Sequence, residues 1–219
     1  VDVIERLLRS SDPRPHGAER LAGSSRFLLI ADHAGNAIPQ CLGDLGISAN
    51  DLNRHIGIDI GIHGVSRRLS ALLDAPYLYQ PYSRLVIDCN RPPGNPTSIA
   101  PVSDGTPVPA NADLPAADRA MREAEIFWPY QNAVAAQIVK IQNEKLAELC
   151  AMKPDRFAAF ASLTMQDPQL AAKQLETAMR KQGLKGAAIG GAVGAAPGHR
   201  EEAGRLVGNE QPVVGKNYR

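Results

Sequence analysis

An α/β protein, with a mixed or parallel sheet flanked by helices, is what this sequence predicts. Three stretches carry that expectation. The apolar run Phe27-Leu28-Leu29-Ile30 has the length of a buried strand. Asp59 to Leu73 places Ile60, Val65, Leu69, Leu72 and Leu73 at mixed three- and four-residue spacings, as an amphipathic helix requires. Phe157 to Leu163, a helix from Pro168 to Gln182, and the apolar glycine-rich stretch Gly186 to Val193 then read as a strand–helix–strand unit.

The elements follow in order. Val1 to Leu8 has helical spacing, with Val3, Ile4, Leu7 and Leu8 on one side, and Ser10 to Pro15 breaks it. His16, between Pro15 and Gly17, reads as an exposed loop histidine. The strand at Phe27 stops at Ala31-Asp32-His33-Ala34-Gly35-Asn36, where the glycine lets the chain turn sharply. Pro39 to Gly46 makes a short helix and a stop. Ser48 is a plausible helix N-cap, with Asp51 three residues on. Asp59 then projects from the first turn of the amphipathic helix, with His55 and His63 on either side. Tyr77-Leu78-Tyr79 and Leu85-Val86-Ile87 are short strands, the second running into Asp88, Cys89, Asn90 and Arg91. Pro92 to Pro115 is proline-rich and aperiodic, a loop expected to be functional or disordered. Leu114-Pro115 opens a helix from Ala116 to Ala136 that Pro129 kinks or divides, and a further helix covers Val139 to Met152. Asp167 caps the next helix, Pro168 takes its first position and Gly183 ends it. Beyond Gly194 the tail is Gly/Pro-rich and polar, and is expected to be poorly ordered.

Composition narrows the partners. The 219 residues are enough for one large domain or two small ones, and 44% hydrophobic with 21% charged residues suits a globular chain. A net charge of +1 and 5% aromatic residues give no footing for nucleic acid or an anionic membrane. No apolar run approaches the roughly 20 residues of a membrane span. The N-terminus lacks the basic flank and apolar core of a signal peptide. Cys41, Cys89 and Cys150 are widely spaced and odd in number, which suits reduced thiols in the cytoplasm.

In open α/β sheets, ligands bind beyond the carboxyl ends of the strands. His33 and the run from Asp88 to Arg91 both stand at such ends. A hydrolytic zinc site needs three protein ligands and an open position for water, whose pKa the metal lowers to about 7. His33 is the best nitrogen donor for it. Asp59 is either a carboxylate donor or an acid stabilised by the helix dipole. Arg84 and Arg91 suit a bidentate grip on a substrate carboxylate. Alternatively, Arg91 forms a surface pair with Asp88 that is worth little.

Taken together, His33-Ala34-Gly35-Asn36-Ala37-Ile38-Pro39, Asp59 within His55 to Gly61, Ser83 to Pro92, Ser103 to Asn111 and Phe127 to Gln131 resemble the N-formylglutamate amidohydrolase family, over about Phe27 to Asn132. Asp88-Cys89-Asn90-Arg91 also looks like the substrate-carboxylate strand of the zinc carboxypeptidases, whose α/β fold that family shares. The resemblance implies Zn2+-dependent hydrolysis of an N-formyl or N-acyl amino acid such as N-formylglutamate, a small-molecule carboxylate. It implies His33 as a zinc ligand and Asp59 as a second ligand or a catalytic acid beside it. Asn36, Arg84, Asn90 and Arg91 would bind the substrate, the last three through its carboxylate.

The sequence also departs from that family. No His-Ser pair follows Gln131 to supply another ligand, and Gln131 stands where the family usually has histidine. The late glutamate that serves the carboxypeptidases as general base has no counterpart. A truncated carboxypeptidase-like fold with impaired hydrolysis is therefore expected. Asn143 to Leu149, Lys153 to Phe157, Gln166 to Pro168 and Gly183 to Gly186 resemble instead the metal-dependent amidohydrolase/decarboxylase barrels, over about Gln137 to Val193. The expected domains are residues 1–133, a βαβ fragment at 134–194 and a tail at 195–219. The alternative functions are a non-catalytic remnant or fusion fragment that binds a small carboxylate and, more weakly, an amidohydrolase/decarboxylase-like protein.

Overall fold

The computed structural model describes residues 6–187 and is a mixed α/β protein built of small sheets and helices. Residues 1–5 of the expected N-terminal helix, the expected tail and most of the expected strand from Gly186 to Val193 lie outside the described residues. The chain divides into two compact units, Val1–Ile138 and Val139–Arg219.

The sheet of the first unit has the order β1-β3-β2, from β1 (Gly17–Glu19), β2 (Leu29–Ala31) and β3 (Tyr77–Tyr79). β2 runs parallel to β3 and β1 antiparallel. Parallel neighbours need a crossover, and α2 (Ile62–Leu73) provides it. β2 begins only at Leu29, whose N–H bonds the Pro76 carbonyl at 2.9 Å. Phe27, expected inside the strand, is 62% exposed. β1 was not expected. It sets His16 beside the sheet, half-buried with an unpartnered Nδ1, and burial lowers its pKa. The exposed-loop expectation for His16 therefore fails.

α2 starts later than its hydrophobic spacing suggests. Its N-cap is Gly61 at φ 84°, a left-handed conformation that glycine adopts freely. Asp59 thus precedes the helix rather than occupying its first turn. α1 (Ala49–Leu52) has the expected cap, with Ser48 Oγ accepting from the Asp51 N–H at 3.0 Å. The proline-rich stretch is not shapeless. It holds the hairpin β4–β5 (Val102–Ser103 with Thr106–Pro107), turned by Asp104 and Gly105 at φ 46° and 71°. Two left-handed residues in succession suit the tight turn that follows strand twist.

Leu85-Val86-Ile87 is no strand but a buried turn inside the main core. Its carbonyls have no ladder partner and are met by side chains instead. Asn111 Nδ2 donates to the Leu85 carbonyl at 2.8 Å, and Arg122 Nη1 to the Val86 carbonyl at 3.0 Å. Those partners lie 26 and 36 residues away in sequence. Leu45, Ile56, Tyr82, Ile99, Ile126 and Tyr130 pack around the same turn.

The helix expected at Ala116 to Ala136 is interrupted before Pro129. α3 (Ala116–Arg122) passes into a π turn at Glu123–Phe127, and α4 (Trp128–Met152) then runs on without a break at 136–139. Proline has no N–H and clashes with the preceding turn, so a widened turn just upstream lets the helix continue through it.

In the second unit α5 (Pro168–Gln182) has the expected ends. Asp167 accepts from the Leu170 N–H at 3.0 Å, and Gly183 closes the helix at φ 72°. Phe157 to Leu163 forms no strand. A single parallel bridge joins Ala161 to Ala187, and Phe160 is 61% exposed. The Asn143 amide takes a neighbouring strand's place, bonding both the N–H and the C=O of Ser162. Ala161, Ala178 and Leu184 form a small core there, with Leu146 and Leu163 against it. All three cysteines are unpaired. Among the described residues no helix is long and apolar enough to cross a membrane.

Candidate functional site

β2 ends at Ala31 and delivers His33 to the interior of the first unit, with its side chain 6% exposed. Glycine at 35 is needed for space rather than for the turn itself, since a Cβ there would collide with the Pro81 carbonyl. The next loop is tied to the same point by the Asp59 N–H, which donates to the His33 carbonyl at 3.0 Å. The buried turn at Leu85 to Ile87 brings up Asp88, with its side chain 4% exposed. The Asp88 N–H is fixed to the Ser98 carbonyl at 2.7 Å.

Asp88 is the hub. His33 Nε2 lies 2.7 Å from its Oδ1, and the Asn90 N–H donates to that oxygen at 3.0 Å. Its Oδ2 accepts from Arg84 Nη2 at 2.9 Å and from Arg91 Nε at 3.1 Å. His33 Nδ1 faces Asp59 Oδ2 at 3.2 Å, and Arg84 Nη1 reaches Asp59 Oδ1 at 3.4 Å. The arginines therefore hold the site's own carboxylates. The Asp88–Arg91 pair is real, but one partner is buried, so it is not the weak surface pair considered from the sequence.

Burial alone would raise the Asp88 pKa, but the hydrogen bond and charge of His33, the Asn90 amide and Arg84 hold it well below the usual carboxylate range. Burial would likewise lower His33, and the Asp88 bond outweighs that and raises it. Because folding raises His33, its contribution to stability is complete below 6.5 and is lost as pH climbs through the folded value. Because folding lowers Asp88, its contribution is complete above 3.8 and is lost as pH falls through the folded value. The metal-free protein should be most stable between these limits. Denaturant midpoints measured across pH check this, and a maximum above about pH 8 would contradict it.

Other expected residues go elsewhere. The Asn36 amide is committed to Asn53 at 2.8 Å. Asn90 joins the cluster through its backbone N–H, and its side chain is exposed. His55 is 66% exposed beside Asp104, and His63 Nδ1 meets the Tyr77 hydroxyl at 3.0 Å. Gln131 donates to the Cys89 carbonyl at 2.7 Å. Behind the cluster the Tyr130 hydroxyl donates to Asp32 at 2.7 Å, a link the sequence did not suggest. Asp88 was also missed as the centre, although its spacing of four from Arg84 and three from Arg91 was the signal.

A metal-bound histidine commonly donates its other ring N–H to a carboxylate. His33 is arranged so, with Nε2 on Asp88 and Nδ1 turned to Asp59. His33 Nδ1 and Asp59 are two donors that could face a metal, and a hydrolytic zinc site needs a third. Among the described residues no group of three or more His, Cys, Asp or Glu side chains converges to hold a metal.

The site is thus a strand-end histidine between two carboxylates, with arginines alongside, on a mixed α/β scaffold. The sequence matches the N-formylglutamate amidohydrolase family over residues 25–186, well over half its length, and the chain belongs to that family. The match continues past Asn132, where the resemblance had been expected to end.

The crystal structure of a gene product of Agrobacterium tumefaciens is similar at a TM-score of 0.61 and 36% identity, covering 62% of this chain and 54% of that one. A separate, short similarity links 57 residues, 26% of this chain, to gamma-resorcylate decarboxylases of Rhizobium radiobacter and Rhodococcus jostii, at 44% identity. The chain spans only 17% of the length of those curated relatives.

Proposed function

We propose that the first unit is a zinc-dependent N-acyl amino acid hydrolase site of the N-formylglutamate type, on a carboxypeptidase-like layout, and that its turnover is impaired. The observation that carries this reading is the buried His33 Nε2–Asp88 bond of 2.7 Å, which leaves Nδ1 on the Asp59 side. His33 and Asp59 would hold the zinc, which when bound supplies an acidified water and polarises the scissile carbonyl. Asp88 fixes the His33 ring and its tautomer. Arg91, 42% exposed, has guanidinium nitrogens to spare for the substrate carboxylate beyond its Nε bond to Asp88.

Impairment follows from the parts. Gln131 is bonded to a backbone carbonyl where the family usually has histidine, and His55 and His63 are engaged with Asp104 and Tyr77. A positioned general base typically contributes 10²–10⁴-fold, so a site without one is slow by about that factor. The second reading, a carboxylate-binding remnant without turnover, draws on the same donor count.

Formate release from N-formylglutamate, with zinc added, tests both. Slow, zinc-dependent release that disappears in His33→Ala is expected. Binding of the substrate with no release at all favours the remnant. Release that needs no zinc, or that His33→Ala leaves intact, overturns the hydrolase reading. Fast release would show that the site is complete and the impairment wrong.

A further inference from the structure

α2 turns its serines to the sheet and its large apolar side chains to solvent. Ser66 and Ser70 are its buried residues, whereas Val65, Leu69, Leu72 and Leu73 are all exposed, Leu72 at 80%. The apolar stripe that marks this helix in the sequence therefore has no cover among the described residues. Helix geometry sets Val65, Leu69 and Leu72 roughly opposite Arg67. Arg67 Nε bonds Glu19 of β1 at 2.8 Å. In the order β1-β3-β2 the stripe thus looks the other way, past β2.

β2 is bare on that side. The Leu29 N–H and the Ala31 carbonyl bond towards β3, to Pro76 and Gln80. Ile30, between them, turns its N–H and C=O outward, where no strand pairs among the described residues. The side chains of Ile30 and Phe27 are exposed. The lead-in to β2 is tied to the end of α2, with the Ser25 N–H on the Asp74 carbonyl at 3.1 Å. That tie brings Phe27 to the same end of the helix as Leu72 and Leu73. Strand edge and helix stripe make one apolar step.

We propose that this step is a self-association surface that a second copy of the chain occupies by twofold symmetry, β2 antiparallel to β2 and α2 beside α2. The exposed groups are self-complementary. Two Ile30 residues can exchange both of their backbone hydrogen bonds, and Leu69, central in the stripe, meets its own counterpart. The stripe carries no charge to select an acidic or basic partner, and a net charge of +1 gives two copies little mutual repulsion. The size also fits. Phe27, Ile30 and the four α2 side chains expose on the order of 600 Å², close to the ~800 Å² that each partner gives to a standard interface. The inference is independent of the metal reading of His33.

Sedimentation equilibrium of the full chain over the micromolar range is the test, with the wild type, Leu72→Glu, Phe27→Glu and Val102→Glu. The wild type should reach twice the chain mass as concentration rises. Leu72→Glu sets two like charges in the covered step and should raise the dissociation constant at least about a hundredfold. Phe27→Glu should act in the same direction, and if either variant fails to fold the other decides. Val102 is an exposed apolar residue on β4, so Val102→Glu should leave the dimer intact. A wild type that stays monomeric, a dimer indifferent to both Leu72→Glu and Phe27→Glu, or an equal loss in Val102→Glu overturns the proposal. Assemblies that grow beyond the dimer overturn it too, because a twofold surface closes on itself. Hydrogen exchange reads the strand pairing directly. The Ile30 amide should exchange about tenfold more slowly in the wild-type dimer than in monomeric Leu72→Glu, and an equal rate overturns the proposal.

Discussion

Asp88→Asn should lower the stability of the protein by about 3–5 kcal/mol, the usual cost of removing one partner from a buried ion pair. The side chain is 4% exposed and serves His33, Arg84, Arg91 and the Asn90 N–H together. An amide of the same shape keeps the volume but leaves the positive groups around it uncompensated. One of its oxygens also becomes an NH2 that faces donors. On the zinc reading proposed above, the substitution should in addition weaken zinc binding by roughly 10–100-fold, because the acceptor that fixes the His33 ring loses its charge. Urea denaturation and zinc titration check the two effects. A loss under about 1 kcal/mol would mean that the cluster is solvated and rearranges easily.

Arg122→Ala should cost about as much, roughly 3–5 kcal/mol, for a different reason. Arg122 is 1% exposed, and Nη1 bonds the Val86 carbonyl at 3.0 Å and Asn111 Oδ1 at 2.7 Å. Its Nε has no partner. Burial pushes its pKa down to about 10, against the nearby Asp118, and it remains a cation at neutral pH. Truncation strands both oxygens in a dry core and opens a cavity beside the turn that carries Asp88. Arg122→Met separates the contributions. It restores volume and removes a buried charge, so it should cost less than alanine yet more than nothing. Equal stability of Arg122→Met and the wild type would show that the bonds to the turn contribute nothing net. A weakened zinc affinity in both variants would show that the turn sets the position of Asp88.

What was legible in the sequence is what local chemistry governs. The ends of α5 could be read from Asp167, Pro168 and Gly183, because a cap bonds within its own turn. Ser48 could be read as a cap for the same reason. His33, Asp59, Arg84 and Arg91 were legible as a group through their motifs, and the structure brings these four together. Asn36 has the motif but not the geometry, since Asn53 takes its amide.

By itself the sequence determined the α/β class, the capped helices, the short strand at Tyr77–Tyr79 and the polar groups gathered where β2 ends. Periodicity and capping suffice for these, since each depends on residues within a few positions. Only the tertiary structure decided that Leu85-Val86-Ile87 turns instead of pairing, and that Asp88 rather than Asp59 is the hub. An apolar triplet satisfies a strand or a buried turn equally well. The choice rests on which groups meet its carbonyls, and here they are Asn111 and Arg122, 26 and 36 residues further along the chain. Likewise, a carboxylate becomes a hub only when burial removes water and cations from distant segments replace it.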